Sequence, residues 1–222
     1  MKMFLKAISG LLTYPQGQLI SALPEIALLI ENEPDLSAEH KNALMALVNE
    51  LSQDDLLSSQ ETYVEVFDRG RATSLHLFEH VHGESRDRGM AMIDLRNTYE
   101  KAGLVLHANE LPDYLPVVLE YLSTRSENEI RELLGDCAHI LRKVGEALLD
   151  RGSHYSAVFA TLLALVDEPG LVPTARRRPT AEEKSIDEEW AEEPVEFGPA
   201  AKPACNRAQA QSSVIRFVDR SH

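Results

Sequence analysis

Positive charge, cysteine and aromatic residues are all scarce in this chain, and each shortage excludes something. Lysine and arginine number 22 against 36 aspartates and glutamates, a formal net charge of −14 over 222 residues. A nucleic-acid backbone is bound by clustered cations that displace condensed counterions, so this balance argues against nucleic acid as a partner. Two cysteines, Cys137 and Cys205, cannot build a disulfide framework. Aromatics make up 6% of residues while apolar residues make up 44%. That is a composition for Leu/Ala-rich helices, not for sheets of aromatic and β-branched residues. Long apolar runs are missing as well: none approaches the roughly 18–20 residues of a membrane span. Lys6 and Ser9 interrupt the apolar residues of the first twelve positions, so no signal-peptide core forms there. The expectation is a cytosolic protein without membrane insertion.

Catalytic signatures are equally sparse. There is no Gly-rich phosphate loop, no dinucleotide fingerprint and no nucleophile elbow. One literal match exists, His76-Leu77-Phe78-Glu79-His80, the H-x-x-E-H pattern of inverted zinc peptidases. On a helix, His76 and His80 would lie one turn apart and share a metal, with Glu79 beside them as base. No second cluster at ligand spacing offers a third ligand. The alternative is a helix face of imidazoles, with His82 as a third, turned to solvent or a partner.

What the chain does have is helical periodicity. Phe4, Leu5, Ile8, Leu11 and Leu12 recur at helical spacing up to Tyr14-Pro15, and a second helical stretch, perturbed by Pro24, covers about residues 16–32. Ser37 is a candidate N-cap for a stripe of Leu44, Leu47, Val48 and Leu51. Asp54 can cap the next, carrying Leu56, Tyr63, Val66 and Phe67. A short helix is expected from Thr73 to His82. Another starts at Ser85, carries Met90, Ile93, Leu95 and Tyr99, and ends before Gly103 at a C′ position. Leu111-Pro112-Asp113 reads as a helix start with proline near N1. Ser126 and Glu129 form a capping box before one continuous stripe from Ile130 through Cys137 to Leu148, which predicts a buried, inert Cys137 thiol. The last core helix is expected from Ser153 to Val166.

Beyond Pro169-Gly170 the composition changes to Arg176-Arg177-Arg178, an acidic block from Glu182 to Glu196, and Pro/Ala/Gln-containing sequence. The expected architecture is all-α: a single bundle of about eight to ten helices over 1–170, with a mostly disordered charged tail over 171–222. In that tail, Trp190 to Phe197 and Val214 to Val218 are candidate docking spots. Composition and periodicity lead as far as an acidic helical binding protein that suits a basic or amphipathic peptide.

Three stretches go further. Tyr63 through Met90, with Phe67-Asp68-Arg69-Gly70-Arg71 and Ser74-Leu75-His76-Leu77-Phe78-Glu79-His80-Val81-His82-Gly83 at its heart, closely resembles the signature region of the NarJ family of nitrate reductase assembly chaperones. Glu110-Leu111-Pro112-Asp113-Tyr114-Leu115-Pro116, followed by Leu119-Glu120-Tyr121-Leu122-Ser123, is a second match, and Trp190 to Phe197 a third. The family usually carries histidine at the position of Tyr114, which here leaves a stacking or hydroxyl role instead of an imidazole.

The resemblance implies an all-helical chaperone without catalytic activity. Its partner would be the N-terminal segment of the nitrate reductase catalytic subunit, held ready for insertion of molybdenum cofactor and an iron–sulfur cluster before membrane attachment. Molybdenum cofactor biosynthesis proteins are further candidate partners, and the chaperone need hold no metal or cofactor itself. Related chaperones serve dimethyl sulfoxide or trimethylamine oxide reductases, which is the alternative client class. Carried over by motif, the candidate peptide-binding residues are Tyr63, Phe67, Asp68, His76, Glu79, Pro112, Asp113 and Tyr114. On this reading the two aspartates draw a basic segment while the aromatics anchor it. Arg69 and Arg71 are candidates to pair with acids that shape the groove.

Overall fold

The computed structural model describes residues 1–81, 86–106 and 110–173. Ten α-helices and one 3₁₀ turn follow one another with no strand among the described residues: α1 Lys2–Leu11, α2 Gly17–Asn32, α3 Ala38–Gln53, α4 Leu56–Phe67, the turn Arg71–Thr73, α5 Leu77–Val81, α6 Arg86–Lys101, α7 Leu115–Leu122, α8 Glu127–Asp136, α9 Ala138–Asp150 and α10 Ser156–Ala164. Arg176–Arg178, Trp190–Phe197, Cys205, Val214–Val218 and His82 lie outside the described residues.

α1 is the hub. Its Phe4, Leu5, Ile8 and Leu11 are buried between α2 and α7, and Ser9 Oγ donates to the Pro116 carbonyl at 2.7 Å. On the other side α9 packs on α10, and α10 on α3. Gly145 permits the α9–α10 approach: a Cβ there would stand 2.7 Å from Phe159 Cβ and 2.8 Å from Leu171 Cδ2. Leu171 therefore belongs to this packing, and Arg142 holds the adjoining chain through Glu168 at 2.7 Å.

Several helix ends follow the local rules. The Ser126–Glu129 capping box is complete, with reciprocal side-chain and backbone bonds. Gly103, at φ +80, closes α6 with its own N–H on Glu100 O and that of Leu104 on Tyr99 O, a Schellman ending. Ser37 caps α3 through the His40 N–H.

Other expectations need correction. The N-cap of α4 is Asp55, whose carboxylate accepts from Ser58 N at 3.0 Å, while Asp54 ends α3. Pro24 is exposed within α2, and the helix runs through it. The stripe from Ile130 to Leu148 belongs to two helices. Cys137, at φ −88 and ψ −3, ends α8 and precedes α9, and this near-zero ψ turns the chain while keeping both apolar faces inward. The Cys137 thiol is only half-buried, yet burial still pushes its pKa up to about 11 and keeps it protonated. Pro112 does not start a helix: α7 begins at Leu115, with Pro116 in its first turn. On α6 the expected stripe is largely uncovered, with Tyr99 buried but Met90 and Ile93 60% and 53% exposed.

Candidate functional site

The end of α4 and the two stretches that follow α4 and α6 build one cleft. α4 stops at Asp68, and the turn Arg71–Thr73 swings the chain back, fastened where Thr73 Oγ1 donates to Val66 O. The chain then runs extended through Ser74, Leu75 and His76. It pairs antiparallel with the segment before α7 in a single His76–Tyr114 bridge, with Leu77 N donating to Asp113 O at 3.0 Å and Leu115 N to Leu75 O at 2.9 Å. Two segments almost forty positions apart are thereby locked edge to edge. The open side is a cleft of about 1050 Å³ lined by Tyr14, Tyr63, Phe67, Tyr114, His76 and Leu111, with Asp68, Glu79, Glu110, Arg69, Arg71 and Arg88 at its charged edges.

Its floor is aromatic. Tyr63 packs on Phe67 with centroids 4.8 Å apart and meets Tyr14 edge-on at 5.6 Å, while His76 lies against Tyr114 at 5.3 Å. Tyr63 and Tyr114 share one acceptor: Tyr63 OH donates to Leu12 O at 2.9 Å, and the two phenol oxygens are 2.9 Å apart. Burial, above all, raises both phenol pKa values, and Asp68 adds to it on both, with Glu110 adding on Tyr114. Both groups stay protonated as hydrogen-bond donors at any physiological pH.

Of the sequence-predicted residues, Tyr63, Phe67, Asp68, His76, Glu79 and Tyr114 line this cleft. Pro112 and Asp113 do not. Pro112 is buried, and its carbonyl accepts from Tyr99 OH at 2.8 Å. Asp113 is 0% exposed, directly behind the cleft wall. Its carboxylate pairs with His76 Nδ1 at 3.3 Å and accepts from Phe78 N at 3.2 Å. A carboxylate so enclosed fastens the 74–78 segment and does not face an approaching peptide. The exposed charge falls to Asp68 and Glu110, neither of which has an ion pair among the described residues.

Among the described residues neither arginine pairs with a carboxylate as expected. Arg71 donates to the backbone carbonyl of Glu79, Arg88 is the residue 3.7 Å from the Glu79 carboxylate, and Arg69 has no side-chain hydrogen bond or ion pair there. Tyr14, Arg88 and Glu110 were not legible as site residues. Arg88 and Glu110 sit within the two resembling stretches, but nothing local ties Tyr14 to a partner across 49 positions.

The H-x-x-E-H geometry is absent. His76 lies in the bridge before α5, not on it, with its ring on Asp113, and His80 Nε2 donates to Ser74 O at 2.9 Å. No group of three or more metal-ligating side chains occurs among the described residues.

The hydrogen bond to Asp113, reinforced by that carboxylate's charge and by Glu79, raises the His76 pKa, against burial and Arg88. A raised native pKa means that the proton's contribution to stability is fully present below the unfolded value of about 6.5. It is lost as pH rises through the higher native value. The urea midpoint of the wild type should therefore exceed that of His76→Gln by most near pH 6, with the gap closing steadily toward pH 9. A gap that is constant or grows with pH would show that the imidazolium–Asp113 pair does not stabilise the fold.

Comparison with known proteins matches the fold and the stretch of chain that carries most of the cleft. The family model described as the nitrate reductase delta subunit matches residues 33–161, which include every cleft residue except Tyr14. The chain is 42% identical over 222 residues to the nitrate reductase molybdenum cofactor assembly chaperone NarJ of Escherichia coli strain K12, covering 95% of this chain and 91% of that one. Over 163 residues, 73% of the chain, it is 31% identical to the nitrate reductase-like protein NarX of Mycobacterium tuberculosis strain H37Rv, where the match covers 24% of a longer protein. The fold is shared with the crystal structure of a redox enzyme maturation protein from Archaeoglobus fulgidus, at a TM-score of 0.55 and 22% identity over 76% of this chain and 94% of that one.

Proposed function

The chain belongs to the nitrate reductase delta subunit family, and from that premise we propose that it is a non-catalytic, cytoplasmic assembly chaperone for a respiratory nitrate reductase. It binds the N-terminal segment of the apo catalytic subunit and keeps that subunit competent for molybdenum cofactor and iron–sulfur cluster insertion before membrane attachment. The observation that carries this reading is the cleft itself, an aromatic floor with two carboxylates at its edge, Asp68 and Glu110, that have no ion pair among the described residues. Apolar side chains of a bound segment would stack on Tyr63, Phe67 and Tyr114 while its basic residues meet the carboxylates. The charge of −14 steers a basic segment from a distance and is screened over about 8–10 Å at physiological salt. No described helix is long and apolar enough to cross a membrane, as suits a protein that meets its client before the client is attached.

The test uses a synthetic peptide of the first residues of the organism's nitrate reductase catalytic subunit, followed by stopped-flow anisotropy. Saturable binding is expected, with Tyr114→Ala speeding release and Asp68→Asn slowing association and flattening the salt dependence. Corresponding peptides from dimethyl sulfoxide and trimethylamine oxide reductases should bind more weakly. Absence of binding, or binding indifferent to both substitutions, would sink the proposal.

A further inference from the structure

Arg88, Arg96, Arg131 and Arg142 each meet a carboxylate, as expected in a chain with this excess of acid. Arg69 and Arg151 meet none among the described residues, and both line a second cavity of about 480 Å³, with Val66, Ser153 and Glu65. Two guanidiniums lining one small cavity give it a positive potential that favours an anion, and Glu65, the one acid in its wall, pairs with neither. Arg151 is held in place: Nη1 donates to Val66 O at 3.2 Å, at the carbonyl end of α4. Gly70 leaves the room it needs, since a Cβ there would stand 3.3 Å from Arg151 Nη2. Ser153 Oγ accepts from Tyr155 N at 3.3 Å, which leaves the hydroxyl proton free to donate. Arg69 belongs to both cavities, lining this one and the aromatic cleft.

We propose that Arg69, Arg151 and Ser153 form an oxyanion subsite beside the cleft, which takes a carboxylate side chain of the polypeptide segment bound there. Guanidinium forks match a planar carboxylate with two parallel hydrogen bonds, and charge-assisted bonds of this kind are the strong ones. The subsite would select segments that carry an acidic residue beside their apolar anchors, a requirement that attraction to an acidic protein does not predict. This inference rests on the peptide-binding reading above.

The experiment is a set of double-substitution cycles on the same synthetic peptide. Each acidic residue of the peptide is replaced in turn by its amide, and each version is titrated against wild type, Arg69→Gln and Arg151→Gln. Among the described residues the Arg69 side chain is exposed and makes no hydrogen bond or ion pair, so that variant is expected to keep its fold, which its urea midpoint checks. We expect Arg69→Gln to weaken the wild-type peptide about tenfold. One amide peptide should lose a similar factor against wild type and little more against the variant. Additive losses at every acidic position, or no loss with either variant, overturn the subsite while leaving peptide binding intact. Competition by inorganic phosphate that vanishes in Arg69→Gln, with a flat amide series, assigns the cavity to a free oxyanion and overturns the carboxylate assignment. No binding of any peptide by wild type overturns both proposals.

Discussion

Asp113→Ala should cost about 3 kcal/mol of folding stability, a large share of the roughly 5–15 kcal/mol that holds a domain together. The carboxylate has no solvent to fall back on. It accepts from Phe78 N and pairs with His76 Nδ1, so its removal withdraws a charge-assisted bond from each and leaves a void where the buried carboxylate stood. Asp113→Asn keeps one acceptor oxygen and should lose about half as much. The damage should be local before it is global, with amide exchange at Leu77 and Phe78 accelerating first, because Asp113 holds both, through its backbone carbonyl and its side chain respectively. Urea unfolding and hydrogen exchange read the two effects. An Asp113→Ala protein with the wild-type midpoint would show that the backbone bridge alone holds the cleft wall.

Asp113 also marks where sequence reading stops. Its position in a motif was visible, and an exposed, peptide-attracting charge was a natural expectation for an aspartate in an acidic protein. The buried pairing with His76 spans 37 positions and leaves no trace in local periodicity. Local signals were read correctly where the physics is local: the α1 stripe, the Ser126–Glu129 box and the Gly103 ending each involve residues within one or two turns. They misled where two local solutions compete. Pro112 and Pro116 both suit a helix start, and only the Leu75–Leu115 bond, a tertiary contact, places the start at Leu115. The break at Cys137 was hidden because the apolar faces of α8 and α9 stay in phase across it. On α6 the periodicity is real but mostly unburied, since amphipathicity says which face is apolar and not what covers it.

The charge pattern of the cleft was likewise legible only in part. A net charge of −14 suggests a uniformly acidic groove, but Arg88 answers the Glu79 carboxylate at the site itself, and Arg71 lines the same cleft with its guanidinium on the Glu79 backbone carbonyl. On the proposed reading, long-range attraction and short-range recognition reside on different residues: the whole surface for the first, and Asp68 and Glu110 with the aromatic rings for the second.

Phe67 tests whether the aromatic floor can serve as both core and contact surface. It is 5% exposed, packs at a tilt on Tyr63 and meets Tyr155 edge-on at 4.9 Å, yet it borders the cleft. Phe67→Ala should lower stability by about 3–5 kcal/mol, combining lost transfer energy with the cavity left beneath two tyrosines. A loss that large would disturb the Tyr63–Leu12 bond and Tyr114 with it, so failed binding by this variant alone would not distinguish contact from collapse. Phe67→Leu separates them. It conserves most of the volume and should cost under about 1.5 kcal/mol, but it removes the ring face presented to the cleft. If the floor contacts the client segment, Phe67→Leu should melt near the wild type and release peptide severalfold faster, with an unchanged association rate and salt dependence. Normal release by a well-folded Phe67→Leu protein would confine Phe67 to the core and leave anchoring to Tyr63 and Tyr114. A Phe67→Ala protein that melts like the wild type would contradict its burial and overturn the packing described for α4.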